Sequence, residues 1–351
     1  MIKKLRLIGF KSFKEYKIEF EKNSNVIIGE NGKGKTNILE AINLICDNSQ
    51  ISSSFENLIN TEVNSFFISG IFWDKNNLEQ EISISYDKES KKKKIIINGK
   101  ATTKSKLNEF SSKTIYFSPI LMNIFYFGPS DRRDFLDNIL SNSFSVYSKI
   151  LKNYENIIKN RNKILKNINE GNSSKDELNF FDNKMIELSK EIYFYRNDLI
   201  NYFKKNMQNF ETYFFGKIKN VDFEYKTKTK LDDIENSIRK YLKENLERDI
   251  ILKKTQIGPH IDDFSILLDT KEIIDFASRG EIKSIIIGLK LIELKYIEEK
   301  TGNKPILLID DFLSELDNKH KDILLSEIKA YQSIITSINK IENLDENNII
   351  L

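Results

Sequence analysis

The pattern of hydrophobic and polar positions divides the chain into strand-rich ends and a helical middle. Near the N-terminus, KKLRLIGF and YKIEFE read as a pair of strands, and SNVIIG (24–29) is an apolar run typical of a strand buried on both faces. Four further strand-like runs lie between about 65 and 118 and are separated by polar turns: SFFISGIFW, QEISISY, KIIINGK and KTIYFSP. We expect these four runs to form a small antiparallel β lobe.

The middle of the chain has a helical period. No proline occurs between Pro129 and Pro259, and two heptad tracts occupy this interval. The first tract comprises Tyr147, Leu151, Tyr154, Ile158, Leu165 and Ile168, interrupted by Arg161, and the second comprises Leu178, Phe181, Met185, Leu188, Ile192, Tyr195, Leu199 and Tyr202. Because GNSS (171–174) is a helix stop followed by polar turn residues, we expect an antiparallel helical hairpin. Two ordinary core helices of a helical lobe would give the same pattern.

A glycine-rich loop follows the third predicted strand. GENGKGKT (29–36) matches G-x-x-x-x-G-K-[ST] in full and precedes the helix-like NILEAINLI. In this motif backbone N–H groups surround the phosphates, Lys35 reaches the β- and γ-phosphates, and Thr36 binds Mg²⁺. The predicted ATP-binding residues are Gly29, Glu30, Asn31, Gly32, Lys33, Gly34, Lys35, Thr36 and Asn37.

A second acidic motif lies near the C-terminus. PILLIDDFLSELD (305–317) is a short apolar run that ends in two carboxylates, which is the pattern of a buried parallel strand facing a phosphate loop. Asp310 is predicted to hold Mg²⁺ through water, together with Thr36. Asp311 is predicted to orient or deprotonate the attacking water, so that Lys35, Asp310 and Asp311 form the catalytic set. Adjacent acids at a strand end are also common as caps of the next helix.

The stretch FASRGEIKS (276–284) opens an amphipathic run. Ser278 and the backbone amides near Gly280 would lie at a helix N-terminus, where anions bind readily, and Glu281 completes a Ser-x-Gly-Glu turn. A chain that already has one complete phosphate loop does not need a second phosphate site for its own nucleotide. The turn is useful if it caps the γ-phosphate bound by another copy of the chain. This order of motifs is the layout of ABC-type ATPase heads, and Asp317 of SELD is expected to reach across the same interface.

The predicted fold class follows from these elements. It is α/β: an ABC-type P-loop ATPase head, with a mixed sheet, flanking helices and an antiparallel β lobe, that carries an inserted α-helical hairpin lobe. The N-terminal half of the head is expected at 1–138, with the β lobe at about 65–118. The helical insertion is expected at 139–248. The C-terminal half is expected at 249–351 and contains the acidic strand and the Ser-x-Gly-Glu turn (278–281), called the signature turn below.

Composition excludes several classes of protein. The 351 residues are 40% hydrophobic, enough for a sizeable core, but no apolar run approaches the roughly 20 residues that span a bilayer. We therefore expect a cytoplasmic protein without a membrane partner. With one cysteine, Cys46, and two histidines, a cysteine-built zinc site is excluded, so any metal should be a hard ion held by oxygen. The net charge of +3 is too small to prove a nucleic-acid partner, and KKKK (91–94) is either a solvated hairpin tip or a DNA contact.

The combination of motifs carries a family resemblance. It rests on GENGKGKTNILEAI, on FSP followed by GPSDRRDFLD (128–137), on TQIGPHIDD (255–263), on ASRGEIK and on DDFLSELD. On these residues the chain resembles the RecF family of bacterial recombination mediators, within the ABC/SMC-like group, over nearly its whole length. The resemblance implies a weak, DNA-stimulated ATPase that dimerises with ATP and clamps DNA at single-strand gaps and junctions. It also implies RecR and RecO as partners in loading RecA.

The sequence departs from the family pattern at three places. Ile120, Leu121 and Met122 follow FSP where acidic residues are usual, Ile261 replaces an arginine, and NSQISSSFENLIN (48–60) has no arginine. These losses affect DNA contact and nucleotide coupling more than ATP binding. An SMC-like or scaffold ATPase that dimerises with ATP but does not recognise gapped DNA is therefore an alternative function.

Two smaller questions remain open from the sequence. Arg132 and Arg133 either contact phosphate or pair with Asp131, Asp134 and Asp137, and His260 either makes a structural hydrogen bond or lies near nucleotide or DNA. A transporter ATPase is disfavoured, because no histidine follows the acidic strand where such proteins carry one. SIITSIN (333–339) has Thr336 and Ser337 there instead.

Overall fold

The structure, a computed structural model, describes most of the chain in ten segments. These are residues 1–46, 54–73, 77–104, 106–107, 112–119, 121, 124–126, 128–207, 221–341 and 346–351. The chain divides into two compact units, of which the first comprises 1–122 with 293–351 and the second comprises 123–292. Residues 249–292, predicted to belong to the C-terminal half of the head, therefore group with the second unit. None of the helices in the described segments is long and apolar enough to cross a membrane.

An antiparallel sheet of six strands forms one layer of the first unit, with the order β2-β1-β4-β5-β6-β7. Its strands are β1 (Ile2–Phe10), β2 (Phe13–Glu19), β4 (Ser65–Trp73), β5 (Glu79–Asp87), β6 (Lys92–Ile97) and β7 (Lys100–Thr102). Burial alternates along β4, as expected for a sheet with one face in the core. The predicted N-terminal strand pair and the predicted antiparallel lobe are confirmed over these strands.

A parallel sheet forms the other layer, with the order β14-β3-β13-β12-β8. Its strands are β3 (Ser24–Ile28), β8 (Thr114–Phe117), β12 (Ile306–Asp310), β13 (Ser333–Ser337) and β14 (Glu346–Ile350). The expectation that the strand at KTIYFSP joins the antiparallel lobe is wrong, because β8 pairs in parallel with β12. Three of its four residues are buried, which is typical of a strand covered on both faces rather than of a lobe edge.

Helix α1 (Lys35–Cys46) packs against both sheets of the first unit. Its apolar side chains Ile38, Leu39, Ile42 and Ile45 are fully buried in one core with residues of both sheets. Burying a side chain of this size contributes about 1.5–3 kcal/mol. The N-terminal end of the helix, which continues directly from the glycine-rich loop, is thereby fixed relative to both sheets.

The second unit is mainly helical. Its helices are α2 (Pro129–Ser143), α3 (Tyr147–Asn169), α4 (Leu178–Met207), α5 (Ile234–Glu244), α6 (Leu246–Leu252), α7 (Ile273–Phe276) and the start of α8 (Arg279–Thr301); the first unit also contains α9 (Asn318–Ile328). A three-stranded antiparallel sheet, in the order β11-β10-β9, accompanies them. Its strands are β9 (Val221–Lys226), β10 (Asp263–Leu268) and β11 (Lys271–Glu272).

Helices α3 and α4 form the predicted hairpin. The link between them turns at Gly171, whose φ of +77° favours glycine, and Ser174 with Glu177 forms a capping box before α4. Helix α4 buries the heptad positions Leu188 and Leu199, but it also buries residues on its other sides and contacts β9 and α5. The alternative of core helices in a helical lobe therefore describes this pair better than an isolated coiled coil.

Two buried arginines hold the second unit together. Arg161, which interrupts the first heptad tract, is fully buried and pairs with Asp182 at 2.7 Å and with Asp249 at 3.0 Å. Arg196 of α4 is 1% exposed and donates to both carboxylate oxygens of Asp137 at 3.0 Å. Because a buried charge is costly without partners, these ion pairs fix how the helices pack.

The buried pair of Arg196 and Asp137 predicts a large effect on stability. Arg196→Met should destabilise the protein by about 3–5 kcal/mol, because it leaves the mostly buried Asp137 carboxylate without its main partner. Denaturant unfolding followed by circular dichroism measures the change. Arg248→Met, at an exposed position of α6, is the matched control and should leave the midpoint unchanged. Equal midpoints for the two variants would contradict this account of the helical lobe.

Candidate nucleotide-binding site

The glycine-rich loop has the backbone that a phosphate cradle requires. It joins β3 to α1, and Gly32 and Gly34 have φ angles of +84° and +97°, a region that favours glycine. A side chain at Gly34 would also clash with its neighbours, because a Cβ there would lie 2.6 Å from the Ser12 Oγ and 2.8 Å from the Phe13 ring. The loop therefore leaves its backbone N–H groups at the start of α1 for an anion.

Lys35 lies within this loop. Its side chain is 4% exposed, and its Nζ donates to the Gly29 carbonyl at 2.7 Å and to the Glu30 carbonyl at 3.3 Å. The ammonium group thus lies against the backbone of the loop, without a carboxylate partner among the described residues. Asn37 donates to the Ser12 Oγ at 2.8 Å, which ties α1 to the turn after β1.

The remaining predicted loop residues lie on its outer surface. The side chains of Asn31 and Lys33 are exposed, and the Thr36 residue at the start of α1 is exposed as well. The structure therefore brings the predicted cradle residues of the loop together in one place. Their contact with a nucleotide stays a prediction.

Asp310, at the end of β12, is the centre of the hydrogen bonds at this edge of the parallel sheet. Its Oδ1 accepts from the Thr36 hydroxyl at 3.0 Å and from the Thr336 hydroxyl at 2.9 Å. Its Oδ2 accepts from the Tyr116 hydroxyl at 2.9 Å. The carboxyl ends of parallel strands meet at one edge, so residues distant in sequence meet there.

The donor set of this site fits Mg²⁺. The Thr36 hydroxyl and the Asp310 carboxylate are adjacent oxygen donors, and Mg²⁺ prefers one or two such protein ligands together with the phosphates of a nucleotide. In the described segments no group of three or more His, Cys, Asp or Glu side chains could hold a metal ion. Binding of Mg²⁺ at this place stays a prediction.

Asp311 has a strained backbone at the next position. Its φ of +48° is unusual for a residue other than glycine, and its N–H donates to the Thr336 Oγ1 at 2.9 Å. The residue is partly exposed and lines a cleft of about 740 Å³ with Asn31, Ser314 and Ser337. Asp311 therefore shares this cleft with Asn31 of the glycine-rich loop.

Tyr116 is a site residue that sequence reasoning missed. Burial and the negative charge of Asp310 raise the pKa of the Tyr116 hydroxyl, so this group stays protonated and donates to the carboxylate. No motif signals this tyrosine, since it lies inside a strand that was assigned to the wrong sheet. Thr336 was noted only as a substitute for a histidine, whereas its hydroxyl links Asp310 to the backbone of Asp311.

The predicted signature turn lies in the second unit, at the start of α8. Ser278 and Glu281 form a capping box: the Ser278 N–H and hydroxyl donate to the Glu281 carboxylate at 2.8 and 2.7 Å, and the Glu281 N–H donates back to the Ser278 Oγ at 3.3 Å. Ser278 and Gly280 are exposed. The turn is therefore an accessible helix start, and its role towards a second copy stays a prediction.

Asp317 caps a different helix. Its carboxylate accepts from the His320 N–H at 3.0 Å, and the His320 Nδ1 lies 2.9 Å away. These hydrogen bonds to the His320 backbone and ring lower the pKa of Asp317. Within one chain the residue is thus the N-cap of α9, and its side chain remains mostly exposed. Contact of Asp317 with a second copy of the chain stays a prediction.

The structure shows the contacts of the two arginines at the start of α2. Arg132 forms a two-pronged ion pair with Asp263, with both distances 2.7 Å, and Arg133 donates to the Asp262 carbonyl at 2.9 Å. Arg132 thus pairs with an acid at the start of β10, outside the set Asp131, Asp134 and Asp137 named from the sequence, and contact of either arginine with phosphate stays a prediction. Of the three departures, Ile261 is half-buried, whereas Ile120, Met122 and 48–53 lie outside the described residues.

His260 has the structural role. Its Nδ1 lies 2.8 Å from the Tyr154 hydroxyl and its Nε2 lies 3.1 Å from the Thr255 carbonyl. Burial lowers the pKa of the imidazole to about 4, so the ring is neutral near pH 7. Both ring nitrogens are used in holding the loop before β10.

Taken with the fold, this site defines the class of the protein. A glycine-rich loop before α1, an acidic strand end in a parallel sheet, an antiparallel β lobe and a helical lobe together make an ABC-type ATPase head. The predicted fold class is confirmed.

Comparison with known proteins gives the family. The sequence profile of the RecF/RecN/SMC N terminal domain matches residues 1–349. The DNA replication and repair protein RecF of Caldanaerobacter subterraneus is 33% identical over 350 residues, which cover 97% of this chain and 94% of that protein. The RecF of Clostridium kluyveri is 35% identical over 340 residues, covering 95% and 92%. The chain belongs to the RecF family, as its motifs indicated.

A solved structure supports the same assignment. The structure of the recombination mediator protein RecF-ATP in the RecFOR pathway superposes with a TM-score of 0.89 at 31% identity and covers 98% of this chain and 93% of that one. Nearly the whole chain therefore shares the fold of that structure.

The hydrogen bond from Tyr116 to Asp310 predicts a change in metal dependence. Tyr116→Phe should raise the half-saturating Mg²⁺ concentration for nucleotide binding about tenfold, because the Asp310 carboxylate loses a group that fixes its orientation. Binding of a fluorescent ATP analogue, titrated with Mg²⁺, measures this shift. Tyr86→Phe makes the same chemical change on β5 and should leave the Mg²⁺ dependence unchanged. An unchanged Mg²⁺ requirement in Tyr116→Phe would show that this hydroxyl does not position Asp310.

Proposed function

We propose that this chain is an ATP-driven DNA clamp of the RecF type. The observation that carries the proposal is the assembled site around Asp310, where hydroxyls from three different elements already hold the carboxylate in a chain of the RecF family. Two copies would enclose two ATP molecules, and the closed dimer would hold DNA at single-strand gaps and junctions. Action on chromosomal DNA would place the protein in the cytoplasm.

The residues of the first unit would bind and cleave the nucleotide. Backbone N–H groups of the loop and the Lys35 ammonium would hold the β- and γ-phosphates. Thr36 and Asp310 would hold Mg²⁺, which neutralises charge that develops on the phosphates. Asp311 would orient the attacking water and accept its proton, with its backbone fixed through Thr336.

The signature turn would act on the nucleotide of the partner copy. The exposed Ser278 and the N–H groups near Gly280 lie at the start of a long helix, where a γ-phosphate is favoured by the helix dipole. In the single chain the Ser278 hydroxyl donates to Glu281, so it must turn towards the phosphate when the dimer closes. Asp317 would approach the same interface from the end of the acidic strand segment.

ATP would close the dimer, and hydrolysis would open it. A closed form that exists only with ATP makes DNA binding depend on nucleotide, because ATP stabilises the binding-competent state. Weak ATPase activity stimulated by DNA would then time the release. We further propose that the clamp works with RecR- and RecO-type mediators in loading RecA.

A substitution at the signature turn tests the dimer. Ser278→Arg should leave ATP binding by the monomer intact but abolish the ATP-dependent dimer and the DNA binding that depends on it, because the bulky cation fills the place of the partner's phosphate. Light scattering gives the mass with and without ATP, and a fluorescent ATP analogue gives the affinity. Ser326→Arg, at an exposed position of α9, is the control. ATP-dependent dimerisation of Ser278→Arg would contradict the role of the turn.

A further inference from the structure

Positive charge is concentrated at one edge of the antiparallel sheet. The segment 87–107 contains eight lysines and only Asp87 and Glu89 as acids, so it carries +6. The whole chain carries +3, and the remainder therefore carries −3. Acidic residues are nearly as frequent as basic ones in the chain, 52 against 55, so a general excess of lysine does not explain a segment with so few acids.

Lys92 and Lys94 lie at an exposed end of β6. Both side chains are exposed and, two residues apart in a strand, they lie on the same face of the sheet. Strand β7 pairs only with 95–97, so the first half of β6 has β5 as its one neighbour. The two ammonium groups therefore project from an open corner of the sheet.

The acidic residues next to this corner are engaged elsewhere. Asp87 lies opposite Lys92 in the register, but its carboxylate accepts from the Ser90 N–H at 2.8 Å and from the Ser90 hydroxyl at 2.6 Å. The Glu89 carboxylate accepts from Asn64 at 3.0 Å. Within the described part of the chain, neither Lys92 nor Lys94 forms an ion pair.

The opposite face of the same strand is positive as well. The Lys93 Nζ lies 4.3 Å from the centre of the Phe55 ring. Burial, together with the neighbouring positive charge of Lys104, lowers the pKa of Lys93 to about 8. The effect of Lys104 on Lys93 shows that positive charge is present on this face of the strand as well.

Lysines elsewhere on this sheet are neutralised. Lys4 of β1 pairs with Glu19 at 2.8 Å, and Lys14 of β2 pairs with Glu62. The charge at the corner is therefore a local feature of β6 rather than a property of the sheet. Lysine at a sheet edge can also serve to prevent pairing with other chains, and the test below separates this function from binding.

We propose that the corner of the sheet centred on Lys92 and Lys94 is a contact site for the phosphate backbone of duplex DNA. The proposal rests on the proposed function and gives it a location. Flexible ammonium groups suit phosphates without reading the bases. The cross-strand neighbours on β5, Ser85 and Asp87, offer no ring for stacking unpaired bases, which favours a duplex over a single strand.

Salt dependence tests this site directly. For Lys92→Ala/Lys94→Ala, the slope of log affinity against log salt concentration for ATP-dependent binding to a gapped duplex should become shallower by about two, since each lost phosphate contact removes roughly 0.9. Affinity at low salt should fall about tenfold or more. Lys92→Arg/Lys94→Arg keeps both charges and should keep the wild-type slope.

The control removes the same charge from neutralised positions. Lys4→Ala/Lys14→Ala changes the net charge of the same sheet equally but takes lysines from ion pairs, so its slope should equal that of the wild type. Thermal unfolding and ATP-dependent dimer mass confirm that all variants are intact.

Three other outcomes would overturn this site. A wild-type slope in Lys92→Ala/Lys94→Ala would overturn the site and leave the clamp standing. Aggregation of that variant, with a wild-type slope in its dispersed fraction, would show that the lysines only protect the sheet edge and would also overturn the site. If the wild type bound no DNA with ATP, both the proposed function and this site would be wrong.

Discussion

The Asp310 carboxylate is the group on which the candidate site depends. It accepts hydrogen bonds from Thr36 at the start of α1, from Tyr116 on β8 and from Thr336 on β13, so three elements that are far apart in sequence are joined at one side chain. Hydrogen bonds to a charged acceptor are about twice as strong as neutral ones. The same contacts that fix the carboxylate therefore also fix the glycine-rich loop and the backbone of Asp311 relative to the parallel sheet.

Sequence reasoning could reach the loop and the acidic strand because their chemistry demands particular residues at a fixed spacing. Gly32 and Gly34 need positive φ, and Asp310 needs a strand end beside the loop. The same reasoning could not reach Tyr116, since a hydroxyl that enters the site from a neighbouring strand leaves no trace in local spacing. Placing that strand in the antiparallel lobe followed from its position in the chain, and only its pairing with β12 reveals its true layer.

The helical lobe shows another limit of pattern reading. Heptad spacing predicted the hairpin correctly, but Arg161 read as a polar interruption and Arg196 carried no signal. Both are buried and hold the lobe through ion pairs with Asp182, Asp249 and Asp137. Heptad spacing indicates burial of one face of a helix, whereas α4 is buried on more than one face. The partners of a buried charge come from other elements, so burial of this kind is decided by tertiary structure alone.

If ATP closes a dimer on DNA, hydrolysis that depends on Asp311 should limit the lifetime of the closed form. The most direct measurement is binding of a fluorescent gapped duplex by the wild type and by Asp311→Asn, with and without ATP, together with the mass in solution. We expect a dimer that binds the duplex only with ATP, and binding that is tighter and longer-lived in Asp311→Asn. A dimer that forms with ATP yet ignores DNA would contradict the clamp and would favour a scaffold ATPase instead.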